Sequence, residues 1–322
     1  MKKRLIFLMI LCLSFSLCAC GEPAAESGGE GLNIVCTVFP AYDFAREIAG
    51  ERANVSLLVP PGSEAHSFEP TPQDIIRIEN CDLLICNGGE SEVWLEEILE
   101  GAAHGIPTLV MLDCVDALAE ETKEGMQTAR HSHEEHEEHE EHSHGHEEYD
   151  EHVWTSPVNA ALIVSAVCER LETIDPENGS FYRANCDSYQ EELQKLDAAF
   201  REIVSQGSHD TLIFADRFPV RYFVEEYGLD YYAAFPGCAD DTEPSAKTVA
   251  FLIDKVKNEG IPAVLYIEFS NEKMADVICE DTGCEKLLFH SCHNVSGAQL
   301  EAGTSYLELM WGNVKSLKEA LG

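Results

Sequence analysis

The chain has 322 residues and a formal net charge of −38, with 59 acidic side chains against 21 basic ones. Nucleic acid is a polyanion and would be repelled, so this charge excludes it as a partner and is compatible with the attraction of cations. About 290 residues remain after position 31, enough for two domains with hydrophobic cores of their own.

The N-terminus predicts export. Three basic side chains among the first four residues, an apolar run over residues 5–13 and small residues after it are typical of a secretory signal peptide, here residues 1–19. The sequence Leu-Cys-Ala-Cys ending at Cys20 resembles a bacterial lipobox, so we expect a lipidated Cys20; the alternative is an ordinary signal peptide with an incidental cysteine. Residues 20–31 then form a flexible tether to the outer face of the cell membrane.

The first half of the mature chain alternates strands with helices. Short apolar runs predict buried strands at residues 33–38, 55–59, 83–86 and 108–112. Amphipathic stretches predict helices near residues 41–49, 72–78 and 92–99. Thr71, followed by proline and then by Asp74 in the first turn, is typical of a helix start.

The second half repeats this rhythm. It predicts strands at residues 211–215, 229–234, 263–267 and 287–289, and helices at residues 220–227, 245–258, 273–280 and 304–320. Strands that alternate with helices indicate parallel sheets, so the predicted fold class is α/β in both halves.

A long helix is predicted between the halves. Apolar side chains recur there at steps of four and three residues, from Tyr182 through Leu193 to Ile203, with no Gly or Pro between them. At ~1.5 Å per residue such a helix is a rigid connector more than about 30 Å long.

A low-complexity tract is rich in histidine and glutamate. Seven of its sixteen residues from 131 to 146 are histidines. So many like charges cannot build a core, and the imidazoles favour weak, interchangeable binding of borderline metals. We expect an auxiliary metal-binding loop, formed by His131, His133, His136, His139, His142, His144 and His146.

Ten cysteines follow Cys20. Export normally favours disulfides, but the cysteines in apolar runs are interpreted as small buried hydrophobic residues, namely Cys36, Cys81, Cys86 and Cys168. Cys279 and Cys284, or Cys292 and a neighbouring cysteine, could form a disulfide, and the sequence leaves this open.

Two histidine segments carry the most specific signal. His66 lies in Pro-Pro-Gly-Ser-Glu-Ala-His-Ser-Phe-Glu-Pro-Thr-Pro after a predicted strand, where open α/β sheets place ligands, and His152 lies in Asp-Glu-His-Val-Trp-Thr-Ser-Pro. Together they resemble the paired signatures of the metal-binding subunits of zinc and manganese ABC importers, Pro-His-x-Phe-Glu-Pro-Thr-Pro and Asp-Pro-His-x-Trp-x-Ser-Pro. The resemblance covers essentially the whole mature chain.

This resemblance implies two α/β lobes with parallel sheets, joined by one long rigid helix, with a metal site in the cleft between the lobes. Residues 32–175 would form the N-terminal lobe, with the acidic His-rich loop at 120–151, residues 176–207 the linking helix, and residues 208–322 the C-terminal lobe. It also implies that His66 and His152 are the first-lobe ligands.

The second lobe departs from the family pattern at Arg217. This residue stands where the family has its third histidine, and a guanidinium cannot coordinate a cation. Asp216 could supply an oxygen ligand instead, or Arg217 could pair with a nearby acidic side chain.

The last predicted strand is followed by Phe-His-Ser-Cys-His, where the family has its final aspartate. We expect His290 to be the third ligand, with His293 or Cys292 as alternatives. Glu268 ends another predicted strand and either binds the metal or orients an imidazole.

About three imidazoles with a carboxylate or water favour tetrahedral Zn²⁺, whereas Mn²⁺ or Fe²⁺ is the alternative cargo. Because imidazoles bind metal only when neutral, we expect affinity to fall below about pH 6. The predicted function is capture of Zn²⁺ by a monomeric, non-enzymatic protein that delivers it to an ABC permease. A zinc hydrolase and a surface metal buffer or adhesin are weaker alternatives, and no general base or nucleophile motif supports the hydrolase.

Overall fold

The computed structural model describes residues 31–64, 67–102, 105–127, 149–237, 239 and 244–322. Several predictions fall outside these residues: the signal peptide, Cys20 and almost all of its tether, His66, and the seven histidines between 131 and 146.

The N-terminal lobe contains a four-stranded parallel sheet in the order β2-β1-β3-β4. Its strands are Leu32–Cys36 (β1), Ala53–Leu57 (β2), Leu83–Cys86 (β3) and Thr108–Val110 (β4). All four residues of β3 are buried, as expected for an apolar run in a sheet covered on both faces.

Three helices accompany this sheet, Phe39–Ala49 (α1), Pro72–Glu79 (α2) and Val93–Gly101 (α3). The predicted start of α2 is confirmed by a capping box. The backbone N–H of Asp74 donates to Thr71 Oγ1 at 3.3 Å, and the N–H of Thr71 donates to Asp74 Oδ2 at 2.8 Å.

Two helices follow, Pro157–Ile174 (α4) and Gly179–Gln206 (α5). The latter has 28 residues and is about 42 Å long. Its buried stripe runs from Tyr182 to Phe200, whereas Ile203, the last residue of the predicted stripe, is half-buried. The helix packs against α1 and α4.

The C-terminal lobe repeats the first topology, with the parallel order β6-β5-β7-β8. The strands are Thr211–Phe218 (β5), Asp230–Pro236 (β6), Ala263–Tyr266 (β7) and Glu285–Leu288 (β8). The helices are Arg221–Tyr227 (α6), Ala246–Glu259 (α7), Lys273–Thr282 (α8), Gly297–Ala302 (α9) and Tyr306–Leu321 (α10). The predicted α/β architecture, with two parallel sheets and a long helix, is confirmed.

One hydrophobic core extends through both lobes. At its centre the ring of Phe44 from α1 makes edge contacts with Tyr189 from α5, at 6.1 Å between centroids, and with Tyr306 from α10, at 5.0 Å. Such shared packing resists a hinge motion between the lobes. None of the described helices is both long and apolar enough to cross a membrane.

Candidate metal centre

His152 is held by the carboxylate of Asp150, two residues before it in sequence. The residue lies just before α4 and is 1 % exposed. Asp150 Oδ1 accepts the backbone N–H of His152 at 2.8 Å and lies 3.1 Å from its ring Nδ1. Because a carboxylate only accepts, Nδ1 carries the proton and the lone pair is on Nε2, which is the tautomer of a metal-ligating histidine.

The environment of His152 shifts its pKa upward. Burial alone would lower the pKa, but the charge and hydrogen bond of Asp150 outweigh burial, and the net shift is to a higher value. Protons therefore compete with a metal for this imidazole more strongly than in a free histidine.

The segment that carries His152 is anchored to the other lobe. Tyr222 Oη, from α6, donates to the carbonyl of Asp150 at 2.8 Å. The indole N–H of Trp154 donates to the carbonyl of Ser291 at 2.8 Å. Both bonds bridge the lobes, so the backbone on each side of His152 has a fixed position relative to the loop after β8.

His293 faces His152 from that loop. The two ring centroids are 5.4 Å apart and the rings are nearly perpendicular, at 89°. Both side chains line a small cavity of about 20 Å³, together with Glu64, Arg217 and Glu268. A cavity of this size has room for about one water molecule or ion.

His290 is placed differently. Its side chain is buried but lies outside the small cavity. Its ring Nδ1 accepts the N–H of Cys292 at 3.0 Å, which puts the ring proton on Nε2, the opposite tautomer to His152. Asn313 holds the backbone of His290 with two bonds of 2.7 Å, so the residue is fixed in the core behind the cavity.

Glu268 lines the cavity, but its oxygens are already used. Oε2 accepts the N–H of Ser291 at 2.7 Å and Oε1 accepts the Ser291 hydroxyl at 2.5 Å. Of the two roles expected for Glu268, this geometry favours positioning, since the carboxylate fixes the loop that carries His293.

Asp216 and Arg217 lie at a register irregularity of β5, between Phe214 and Arg217. Such irregularities re-aim side chains. Asp216 Oδ1 accepts the N–H of Arg217 at 2.8 Å, and burial raises the pKa of the Asp216 carboxyl. Asp216 lines a larger cavity of about 660 Å³ and not the small one.

Arg217 pairs with an acid, one of the two outcomes that the sequence left open. Its guanidinium donates to both carboxylate oxygens of Glu64, at 3.1 and 2.7 Å. The pair joins β5 to the loop after β2 and therefore crosses the cleft.

Left-handed backbone flanks the second-lobe residues. Among the described residues, the non-glycine positions with positive φ are Phe269 (60°), Glu272 (58°) and Cys292 (61°). Phe269 follows Glu268, and Cys292 precedes His293. Strain of this kind concentrates at functional sites, because it persists only where the surrounding structure enforces it.

Two residues of the candidate metal centre, Glu64 and Gly237, were not predicted from the sequence. Glu64 stands in the His66 segment, and only the fold shows that it faces Arg217. Gly237 follows β6, and a Cβ built on it would lie 3.3 Å from His152 Cε1 and 2.9 Å from the carbonyl oxygen of Phe218. The sequence signal for this role is that Gly237 directly follows Pro236, the last residue of β6.

The described residues do not contain a complete ligand set, since no three His, Cys, Asp or Glu side chains among them surround one point. His152 and His293 are brought together, whereas His66, the remaining predicted ligand, lies outside these residues.

Comparison with known proteins gives consistent results. A family model described as the periplasmic zinc-uptake complex component A matches residues 34–320. The chain is 31 % identical to the high-affinity zinc uptake system protein ZnuA of Bacillus subtilis (strain 168), covering 100 % of this chain and 99 % of that protein. It is 29 % identical to the zinc-binding lipoprotein AdcA of Streptococcus pneumoniae R6, of which it spans only 61 %.

Solved structures agree. The Zn(II)-bound ZnuA-like domain of Streptococcus pneumoniae AdcA superposes with a TM-score of 0.73 at 27 % identity, covering 90 % of this chain and 99 % of that one. The metal-dependent lipoprotein YcdH of Bacillus subtilis gives 0.74 at 25 % identity, with 90 % and 100 % coverage.

Proposed function

Because the chain belongs to the family of periplasmic zinc-uptake complex components A, we propose that it binds Zn²⁺ through His152, His293 and His66 and delivers it to the permease of an ABC importer. Like its family, it is a substrate-binding transport protein and not an enzyme, and zinc is its cargo.

The arrangement of His152 carries this proposal. A buried imidazole whose Nδ1 is engaged by a carboxylate, and whose ring meets a second imidazole across a cavity for one ion, is suited to a borderline cation. Mn²⁺ and Fe²⁺ favour more oxygen ligands, so the imidazoles favour Zn²⁺ in tetrahedral geometry at ~2.0–2.1 Å.

His293 replaces His290 as the proposed second-lobe ligand. Its ring lies against His152, whereas the ring of His290 accepts a backbone hydrogen bond at Nδ1 and lies outside the cavity. Glu268 supports the loop, and Asp216 faces the neighbouring cavity.

The remaining parts of the proposal concern location. A lipid on Cys20 would hold the monomeric protein at the outer face of the cell membrane, and a streptococcal relative is named as a lipoprotein. The histidines between 131 and 146 would gather metal through weak binding.

The test is elemental analysis and calorimetric titration of the purified mature protein lacking residues 128–148. We expect one tightly bound Zn²⁺ per chain, lost in His66→Ala and in His152→Ala. Complementation of a strain without its zinc-binding component, under chelation, tests delivery. Stoichiometric zinc retained by both variants would refute the cleft site.

A further inference from the structure

We propose that the positively charged guanidinium of Arg217 occupies the cleft of the metal-free protein, where its ion pair with Glu64 closes the site. This ion pair breaks when Zn²⁺ enters. The inference rests on the proposed function and adds to it a residue that sets the affinity for the cargo.

The ion pair has the geometry of a specific contact. Two hydrogen bonds, one from each terminal nitrogen, join the guanidinium to both oxygens of Glu64, which adds directionality to the attraction of charges. The Arg217 side chain is only 14 % exposed, although that of Glu64 is 42 % exposed. Both residues line the same small cavity as His152 and His293, so the pair lies beside the proposed ligands.

The charge of Arg217 reaches the metal site. Its guanidinium lines the same small cavity as the rings of His152 and His293. A dication bound to these rings is therefore repelled by the guanidinium charge beside it. Zinc binding is therefore favoured by any movement that takes the guanidinium away from His152 and releases the carboxylate of Glu64.

The structure provides space for that movement. The cavity of about 660 Å³ on the other side of Arg217 is lined by Glu64 and by Asp216, whose carboxyl can receive the guanidinium. The Nε of Arg217 is buried and has no hydrogen-bond partner among the described residues, so the present position does not use all of its donors.

The lobes stay joined when the pair breaks. Asn294 Nδ2 donates to the carbonyls of Pro60 and Ser63, each at 2.8 Å, and the N–H of Gly62 donates to the carbonyl of Val295 at 2.8 Å. These bonds fix the loop before Glu64 to the C-terminal lobe. The exchange thus involves the side chains of Arg217 and Glu64 and needs no separation of the lobes.

The experiment measures zinc affinity and metal-free melting temperature for the full mature protein and its variants Arg217→Gln, Arg217→Lys and Glu64→Gln. We expect Arg217→Gln to lower the melting temperature yet tighten zinc binding by on the order of tenfold, because the competing charge is gone. Arg217→Lys should stay near the wild type, and Glu64→Gln should weaken binding, since it leaves the arginine charge uncompensated. The control is Arg201→Gln, which removes a surface ion pair with Glu226 and should leave zinc affinity unchanged.

A purely structural role would make Arg217→Gln less stable and equal or weaker in zinc affinity, and that result would overturn the inference. If the wild type itself binds no zinc, the proposed function fails. If it binds zinc and Arg217→Gln brings no gain, only the exchange mechanism fails.

A second, independent observation concerns two cysteines. The sulfur atoms of Cys279, in the last turn of α8, and Cys284, just before β8, are 3.4 Å apart, and both residues are half-buried. All nine described cysteines are free thiols in the structure. Cys36, Cys86 and Cys168 are buried as the apolar runs predict, whereas Cys81 is half-buried and that prediction is wrong. We infer that Cys279 and Cys284 are a disulfide-forming pair, which the oxidising space outside the cytoplasm would favour.

The reaction is thiol–disulfide exchange with a low-molecular-weight disulfide. The Sγ–Sγ bond forms as the S–S bond of the reagent breaks, and the two electrons and two protons of the cysteines appear in the two thiols released. Folded protein treated with oxidised glutathione should lose about 2 Da and yield a linked 279–284 peptide after alkylation. Cys279→Ser should abolish the link. Alkylation of both cysteines after that treatment would overturn the inference.

Discussion

The two walls of the cavity are built in different ways. On the N-terminal side, His152 is fixed by Asp150, two residues away, and leads directly into α4. On the C-terminal side, His293 lies in a loop that is held by Glu268, which follows β7, and bent by left-handed backbone at Cys292. One wall is encoded locally, whereas the other depends on contacts between distant parts of the chain.

This difference indicates where the family pattern is free to vary. Replacing His152 removes the imidazole that Asp150 positions, so the carboxylate and the imidazole lose their joint role together. The second wall depends on contacts between side chains that are distant in sequence, and the ion pair of Arg217 with Glu64 is an example of such a contact.

The largest effect on zinc affinity is expected when His152 is removed from the N-terminal side of the cavity. His152→Ala should weaken zinc binding by about 1,000-fold, since it removes the cavity imidazole whose tautomer and position are both set by Asp150. Competition titration with a chelator measures the change. His209→Ala, before the amino end of β5, is the matched control and should bind like the wild type; a loss below tenfold in His152→Ala would contradict the assignment.

A buried carboxyl beneath this wall predicts a pH effect on stability. Burial raises the pKa of Glu92 to about 7, and its Oε2 accepts the N–H of Gly88 at 2.7 Å, next to Asn87, which donates to the carbonyl of Glu151. Between pH 4.5 and 7 the folded chain binds the proton of Glu92 more tightly than the unfolded chain does. Protonated Glu92 therefore stabilises the folded state at low pH, and this stabilisation is lost as the pH rises through 7.

Compared with Glu92→Gln, the wild type should therefore lose up to about 3 kcal/mol of unfolding free energy across that pH range. Urea denaturation at several pH values measures this difference. The exposed Glu79→Gln is the control, and parallel pH profiles for the wild type and Glu92→Gln would show that the carboxyl does not titrate in this window.

The second wall is tested by separating its two histidines. His293→Ala should weaken zinc binding by about 100-fold, whereas His290→Ala should change affinity by less than about tenfold and mainly lower the melting temperature. Calorimetry and thermal unfolding of the same samples distinguish the two. The opposite ranking would return His290 to the ligand set.

The carboxylate behind His152 gives a smaller effect. Asp150→Asn keeps an oxygen that can accept from Nδ1 but removes the charge, so zinc affinity should fall by about tenfold. Because the charge of Asp150 also raises the pKa of His152, the variant should lose less affinity than the wild type when the pH is lowered from 7 to 6. Equal pH profiles for the two proteins would contradict this role.

The smallest effect on zinc affinity is expected at Gly237, where the two sides of the cavity are in contact. Gly237→Ala would place a methyl group 2.9 Å from the carbonyl oxygen of Phe218 and 3.3 Å from His152 Cε1, so the backbone at residue 237 and the ring must both shift. We expect a loss of affinity of about threefold, measured by the same titration. Gly312→Ala, in α10, whose added Cβ meets no atom within 4 Å, is the control for the metal site, and equal affinities for all three proteins would show that the ring adapts freely.

Much of this protein follows from local sequence. The alternating apolar runs gave the strands of both sheets, the step of three and four residues gave the buried stripe of α5, and Thr71 gave the start of α2. The segment around His152 belongs to this class, because Asp150, the histidine and the helix start are neighbours in sequence and their geometry is set over a few bonds.

Tertiary structure alone decided the second wall. Nothing local distinguishes His290 from His293, three residues apart in one loop, and the fold separates them because Cys292 adopts a left-handed conformation while Asn313 and Glu268 fix the backbone on either side. The partner of Arg217 was equally hidden, since Glu64 lies 153 residues away. Sequence determines which side chains are available through short-range periodicity and capping, but which of them meet in the cleft depends on long-range hydrogen bonds that only the packed lobes create.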